Sequence, residues 1–439
     1  MQAKQTLEKR EATETVRPLG GYEWLFWSCD TVSAFNFCVA VCFRGTIAHR
    51  LWSAAFAQVQ AKHPFLNVAV NHDDPHAPVF TRGQGLPIPV AFQRRTSSTQ
   101  WLRVMEQEVA EPFDQATAPL LRAVLLEDEK GCDLILTTNH IICDGIGVVA
   151  LIRDLLASLA GDRLTPSPVP PSAEDRVAHV KSLTPLQVPD AAPPAAPAPA
   201  ATDDSVAGPA SGPAARVFAY RALGGQPAIA ALRLSAHQTD LMLRTARHHR
   251  TTAGAVLLAA IDSALRRLCP ALRDVELQLV TPVDARPFLH NQADFVLSIS
   301  SARASSPSAE AGFWATARAL RSQLAPFLSL AEVDATFTRT QAAWAKKLDT
   351  PVLVKTLIEN FGYDVLLSNL KHVDLPAEPP GLAVEAVWGP SVYLGVEGEQ
   401  VIGVATFGDA LHLLYTSFKP VAGLLETVSQ TIVDACVDA

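Results

Sequence analysis

The chain has 439 residues, of which 49% are hydrophobic and 18% charged, with a formal net charge of −8. That length exceeds what one ordinary core supports and predicts two closely packed domains. The composition excludes a disordered chain, and an acidic balance without a basic stripe argues against a nucleic-acid partner.

The first stretch, MQAKQTLEKREATETV, is charged and has no apolar centre. Residues 1–16 therefore read as a disordered tail and not as a secretory signal. VRPLGGYEWLFW opens the ordered part. FNFCVAVCFRG alternates and is rich in β-formers, which predicts a strand. HRLWSAAFAQVQAKH follows with Leu51, Ala54, Ala55 and Val59 at helical spacing, and Pro64 ends that helix. FLNVAV, APVFTR and IPVAF read as short strands. HDDPH, from His72 to His76, reads as a solvated turn in preference to a metal site. A helix over Trp101 to Ala110 stops at Pro112, and LLRAVLLED and CDLILTTNH form two strands with a hairpin turn at EKG. From Ile146 to Ala160 the pattern is a helix apolar nearly all round, with Gly161 as its C-cap. Arg153 and Asp154 in this helix, and Asp262 in a later one, argue against a membrane span.

From Leu164 to Ala215 the composition turns to Pro, Ala, Ser and Gly. Such a segment buries too little apolar surface to fold, so residues 164–215 are expected to be a crossover, mobile in its middle. It separates a first subdomain, 17–163, from a second, 216–439. In the second, a helix starts at Ser235, whose hydroxyl can cap it, and TTAGAVLLAAIDSALRRL is a longer helix. VELQLVTPVDAR is a strand running into a turn, and GFWATARALRSQLAPF is helical. DVLLSNLKHVDLP, LAVEAVWGPS, YLGVEGEQVIGVATFG and ALHLLYTSF are strands, and Lys419 to Ala435 is a closing helix. Strands and helices mix without strict alternation, which predicts α+β layers. Seven scattered cysteines form no paired Cys-x-x-Cys units, which suggests neither zinc nor disulfides and fits a reducing, cytoplasmic setting.

The chemistry concentrates in NHIICDG. His140 stands at the end of an apolar strand, where an imidazole with an ordinary pKa of ~6.5 can take and return a proton near neutral pH. Asp144, one turn on, could orient that ring directly, or pair with a distant arginine and fix the loop. Gly145 permits a positive φ at the turn into the helix. On the residues alone, a structural histidine at a strand end is the commoner case. Cys143 could form a nucleophile pair with His140, although a small buried residue in the loop is the better reading. GPS at 389–391 lacks the spacing of a nucleophile elbow, and no phosphate-cradling glycine loop is present.

The block from Glu111 to Gly161 resembles the active-site region of the chloramphenicol-acetyltransferase-like superfamily, which includes condensation domains, alcohol acetyltransferases and polyketide-associated acyltransferases. Its signature is H-H-x-x-x-D-G, and His140 matches the second histidine. GYEWLFW, FRG and KHPFLNVAV, then LVTPVDARPFL, VLLSNLKHVDLP, WGPS and VATFG, extend the resemblance over most of 17–437. Asn139 replaces the first histidine, a supporting position where an amide can still donate and accept hydrogen bonds. Gly147 stands where a small hydroxyl residue is common.

The resemblance implies an α+β fold of two subdomains in a V, with an active-site tunnel between them. It implies an acyltransferase with His140 as general base, moving an acyl group from a thioester to a hydroxyl acceptor without a covalent acyl-enzyme. The donor would be acyl-CoA or the acyl-pantetheine of a carrier protein; no metal or tightly bound cofactor is expected, and the protein would be a monomer. Asp144 and Arg286 would pair to pin the loop, with Asn139 and Gly145 in support. Ser368 and Asn369 would contact the oxyanion or the substrate, against the plainer reading of polar strand residues facing solvent. Two rival functions accompany this one: amide formation on an amine acceptor, and a non-catalytic scaffold that binds a carrier protein.

Overall fold

The protein is described by a computed structural model over residues 14–183, 226–289, 295–306, 312–396 and 398–438. Most of the predicted tail, 1–13, and the crossover residues 184–215 lie outside the described residues, as do 216–225. Thr15 and Val16, assigned to the tail, belong to strand β1 (Thr15–Pro18).

The first half begins with helix α1 (Gly21–Val32), which holds GYEWLFW. Strand β2 (Asn36–Arg44) follows, then helix α2 (His49–Lys62). Short strands β3 (Val68–Asn71) and β4 (Val79–Arg82) join β1 in a small sheet of order β1-β4-β3. Strand β5 (Val90–Arg94), helix α3 (Gln100–Ala110), and strands β6 (Leu121–Glu127) and β7 (Gly131–Asn139) complete the half, with the hairpin turn at EKG between the last two. All nine residues of β7 are buried, because the strand is central in its sheet and covered on both faces. Helix α4 (Gly145–Leu159) follows it directly and packs beside α2. Its charged residues leave the apolar face for neighbours. Asp154 accepts from Lys62 and His63, both at 2.7 Å, and Arg153 donates to the Asp374 carbonyl. The C-cap is Ala160 and not Gly161, which follows it at φ +103° in the left-handed region that favours glycine.

The crossover is a partial correction. Within it, Ala173–Leu183 form helix α5, which buries Ala173, Arg176, Val177 and Val180. EDRVAHVKSL is not Pro-rich, and four buried positions on one side suffice to dock it. Ser167 and Pro170 ahead of it are also tied to the first half, through Lys62 and Arg17.

The second half runs from strand β8 (Ala228–Leu234) through helices α6 (Ala236–His248) and α7 (Ala253–Leu268), strands β9 (Gln278–Asp284) and β10 (Ile299–Ser305), and helix α8 (Phe313–Leu324). Ser235 caps α6 by accepting from Gln238 N. Two helices unread from sequence come next, α9 (Leu330–Ala345) and α10 (Thr350–Phe361). Helix α5 docks on α9, with Lys181 and Asp334 paired at 2.6 Å. Strands β11 (Val365–His372), β12 (Ala383–Val392), β13 (Gln400–Phe407) and β14 (Ala410–Ser417) and helix α11 (Leu424–Val437) end the described chain.

The large sheets have orders β12-β2-β7-β6-β5 and β10-β9-β11-β13-β14-β8. The first departs from the expected division at 216, since β12 belongs to the second half by sequence and pairs antiparallel with β2 of the first. Its sequence alternates as a strand must, but alternation carries no information on which edge it will join. Strand β12 also lies against β13 and β14. Gly403 permits that approach: a Cβ there would lie 2.0 Å from the Pro390 carbonyl oxygen. One apolar core accordingly runs through both halves, from Phe37 and Leu136 to Val280, Leu366 and Val401. Among the described residues, no helix is long and apolar enough to cross a membrane, and no group of three or more His, Cys, Asp or Glu could hold a metal ion. His72 to His76 form an exposed turn, with Asp74 accepting from the His76 backbone.

Candidate active site

His140 is the first residue beyond β7. Its backbone N–H donates to the Phe35 carbonyl at 3.0 Å, so the turn is stitched to the start of β2. The ring Nδ1 lies 3.0 Å from the Cys143 carbonyl oxygen. A carbonyl only accepts, so Nδ1 carries the proton and Nε2 keeps its lone pair. Three aromatic rings enclose the imidazole: Phe26 edge-on at 4.8 Å, Phe35 stacked at 5.3 Å and Phe37 tilted at 4.6 Å. Burial pushes its pKa down to about 4, although Asp144 and the Cys143 carbonyl act the other way. The ring is thus neutral across the physiological range, with its basic nitrogen unprotonated.

Asp144 does not hold the ring. It caps α4, with Oδ1 accepting from Gly147 N at 2.9 Å. Its Oδ2 accepts from Ser298 N at 2.7 Å and from Arg286 Nη1 at 3.0 Å. Arg286 is buried, and its Nη2 donates to the Val296 carbonyl at 2.8 Å. The structure therefore brings Asp144 and Arg286 together across the two halves, with the backbone of 296–298 as part of the joint. A buried pair of this kind is favourable only when remaining donors and acceptors are satisfied, and Asp144 meets three N–H groups.

Gly145 is corrected. Its φ is not in the left-handed region; the residue opens α4 with ordinary helical backbone. Space is what it supplies, because a Cβ would stand 2.6 Å from Leu370 Cδ2. Asn139 is buried, and its Oδ1 accepts from Ile141 N at 3.0 Å, turning the chain between strand and loop. Nearby, buried Asp30 accepts from Phe35 N at 2.6 Å and from Gln115. Cys143 meets His140 only through its carbonyl. Its thiol is fully buried, faces Thr138 Oγ1 at 3.7 Å and is pushed well above the ordinary thiol range by burial. That environment opposes a nucleophile pair.

A cavity of about 220 Å³ opens at His140, walled by both halves. Ser368 and Asn369 line it from β11, beside Leu370 and Pro390. Asn369 Oδ1 accepts from Lys371 N at 2.7 Å, so its NH₂ is the end left for a ligand. Most of the remaining wall is apolar. Sequence reasoning missed the aromatic enclosure and Tyr22. Parity was the available signal: Phe35 and Phe37 alternate on one side of an extended strand, and Tyr22 and Phe26 share a helix face.

Comparison with known proteins gives the class. A condensation-domain family model matches residues 24–173, and the model "Phthiocerol/phthiodiolone dimycocerosyl transferase C-terminus" matches 224–413. Polyketide synthase associated protein 5 from Mycobacterium tuberculosis superposes with a TM-score of 0.63 at 18% identity, over 97% of this chain and 99% of that one. The first condensation domain of the calcium-dependent antibiotic synthetase gives a TM-score of 0.65 at 14% identity, over 97% of each chain. These two share the fold. Tyrocidine synthase 3 from Brevibacillus parabrevis is 28% identical over 134 residues, 30% of this chain. The chain spans only 1% and 2% of the length of the curated relatives it matches.

One model thus matches each half, and nearly all of the chain has the fold that a polyketide synthase associated protein and a condensation domain share.

Proposed function

We propose that the protein transfers an acyl group from a thioester, on coenzyme A or on a carrier protein's pantetheine, to a nucleophile deprotonated by His140. The observation that carries the reading is the 3.0 Å contact between His140 Nδ1 and the Cys143 carbonyl. With Nδ1 engaged by the Cys143 carbonyl, Nε2 is a lone-pair nitrogen at the cavity wall. It takes the acceptor proton as the nucleophile attacks the thioester carbonyl, and returns it to the departing thiolate. Ser368 Oγ and the Asn369 NH₂ are the proposed donors to the developing oxyanion. The enclosing phenylalanines exclude water that would otherwise hydrolyse the thioester. Donor and acceptor would enter from opposite ends of the cavity, between subdomains arranged in a V.

The sequence favoured a hydroxyl acceptor. The comparisons lean instead toward condensation on an amine, since the half carrying His140 matches the condensation-domain model and a curated match is a synthase. Ester formation is the second reading, supported by the transferase model on the other half. Thiol release from acyl-CoAs and acyl-loaded carrier protein, with panels of amines and alcohols, tests both. Acceptor-dependent release by the wild type, reduced about 10²–10⁴-fold in His140→Ala, is the expected result. Equal release by the variant would remove the base assignment, and release with no pair would leave the scaffold reading.

A further inference from the structure

One end of the cavity carries a charge that the proposed reaction does not use. Strands β9 and β10 pair antiparallel, with Asp284 opposite Ile299, Pro282 opposite Ser301 and Val280 opposite Arg303. All six residues line the cavity. The Ile299 end adjoins the catalytic loop, since Ser298 N donates to Asp144. Arg303 is four residues further along, roughly 13 Å of extended strand. Tyr22 and Phe26 of helix α1 line the cavity as well. Phe26 packs on His140, Tyr22 packs on Phe26 at 5.0 Å, and Tyr22 and Ser301 line the same cavity. Burial holds the Tyr22 phenol up at about 12, so it stays a neutral donor there. The cavity thus has a basic imidazole near one end, an apolar middle, and a guanidinium with two hydroxyls at the other. Arg303 already has a contact within the protein. A guanidinium has five N–H donors, so it can hold a ligand carboxylate as well.

We propose that Arg303 determines specificity by holding a carboxylate of a substrate whose reacting atom lies at His140, with Ser301 and Tyr22 alongside. The carboxylate could belong to the acceptor or to the far end of the acyl chain. This inference rests on the acyl-transfer reading. It is tested with 8-aminooctanoate and 8-hydroxyoctanoate against their methyl esters as acceptors, and with suberoyl-CoA against octanoyl-CoA as donors. The wild type should prefer the carboxylated member in one arm by at least tenfold in kcat/KM, chiefly through KM, and that arm identifies the source. Arg303→Gln should lose the preference and Arg303→Lys keep part of it, with the neutral members turned over alike by all three proteins. An unchanged ratio in Arg303→Gln, or a wild type that prefers neutral members in both arms, would overturn the proposal. A failure of the acyl-transfer reading shows separately, as absence of thiol release with every pair. In that event, calorimetric titration with 8-aminooctanoate, 8-hydroxyoctanoate and suberate decides. Binding of any one that is lost in Arg303→Gln supports the carboxylate site, whereas no binding, or equal binding to both proteins, rejects it.

Discussion

The environment of His140 sets how the reaction should respond to acid. Its pKa is lowered to about 4, chiefly by burial among Phe26, Phe35 and Phe37. A lowered pKa keeps the lone pair available as pH falls. The acid limb of kcat/KM should therefore lie near 4 and not in the ordinary histidine range of ~6.5. A pH–rate profile placing that limb above 6 would contradict the enclosure. Arg286 acts at the same scale. Removing it leaves Asp144 charged and buried with one partner fewer, so Arg286→Ala should cost about 3–5 kcal/mol in denaturant unfolding. Arg286→Lys keeps a charge but cannot span both Asp144 and the Val296 carbonyl, and should fall between. Wild-type stability in either variant would show the pair to be dispensable. The motif around His140 was legible because it is local: histidine, aspartate and glycine lie within six residues. The Ser298 N–H that completes the Asp144 joint was not, because a backbone donor can come from any residue type. Gly145 was read as a turn glycine when its use is steric, a distinction that depends on Leu370, more than two hundred positions away.

Among the elements, β12 has the unusual role. It completes the first sheet while lying against β13 and β14 of the second. Ser391 Oγ and Thr416 Oγ1 are 2.8 Å apart within that contact. Gly403→Ala forces a methyl against the Pro390 carbonyl, where backbone and not a flexible side chain must yield. The substitution should destabilise the protein by about 1–3 kcal/mol or more. Thermal unfolding measures it, and a neutral Gly403→Ala would mean that the two strands separate at little cost. Most strands were readable from alternation, and α4 from its apolar run. What alternation cannot supply is a partner, and so β12 reads as a strand of the second subdomain with no sign that it pairs with β2. Helices α9 and α10 were not read from the sequence, although Leu353, Val354, Leu357, Ile358 and Phe361 of α10 fall at helical spacing. They are fixed by packing on α1, with Trp24 stacked on Trp344 at 5.5 Å, a tertiary contact with no local signature.

Taken whole, the molecule has two halves by sequence but not two independent folding units. A fragment of residues 14–183 would carry the motif, α1 and four of the five strands of its sheet, and would leave the apolar edge of β2 unpaired. It should be insoluble alone, and soluble and active when coexpressed with a second fragment of 226–439. A soluble, monomeric first fragment would show that the edge is protected some other way. The α+β class was legible in the mixture of strands and helices, and the break after 163 in a shift of composition. Part of that break proved to be ordered, because EDRVAHVKSL within it has an apolar side to bury.

The same strand gives the chain a particular history during synthesis. His140 leaves the ribosome early, yet the sheet behind it waits until residue 392 has been translated. At about 5–20 residues per second, that delay is on the order of ten seconds or more. Throughout it the nascent first half presents an open edge, and a chaperone that masks extended, apolar backbone would find its substrate there.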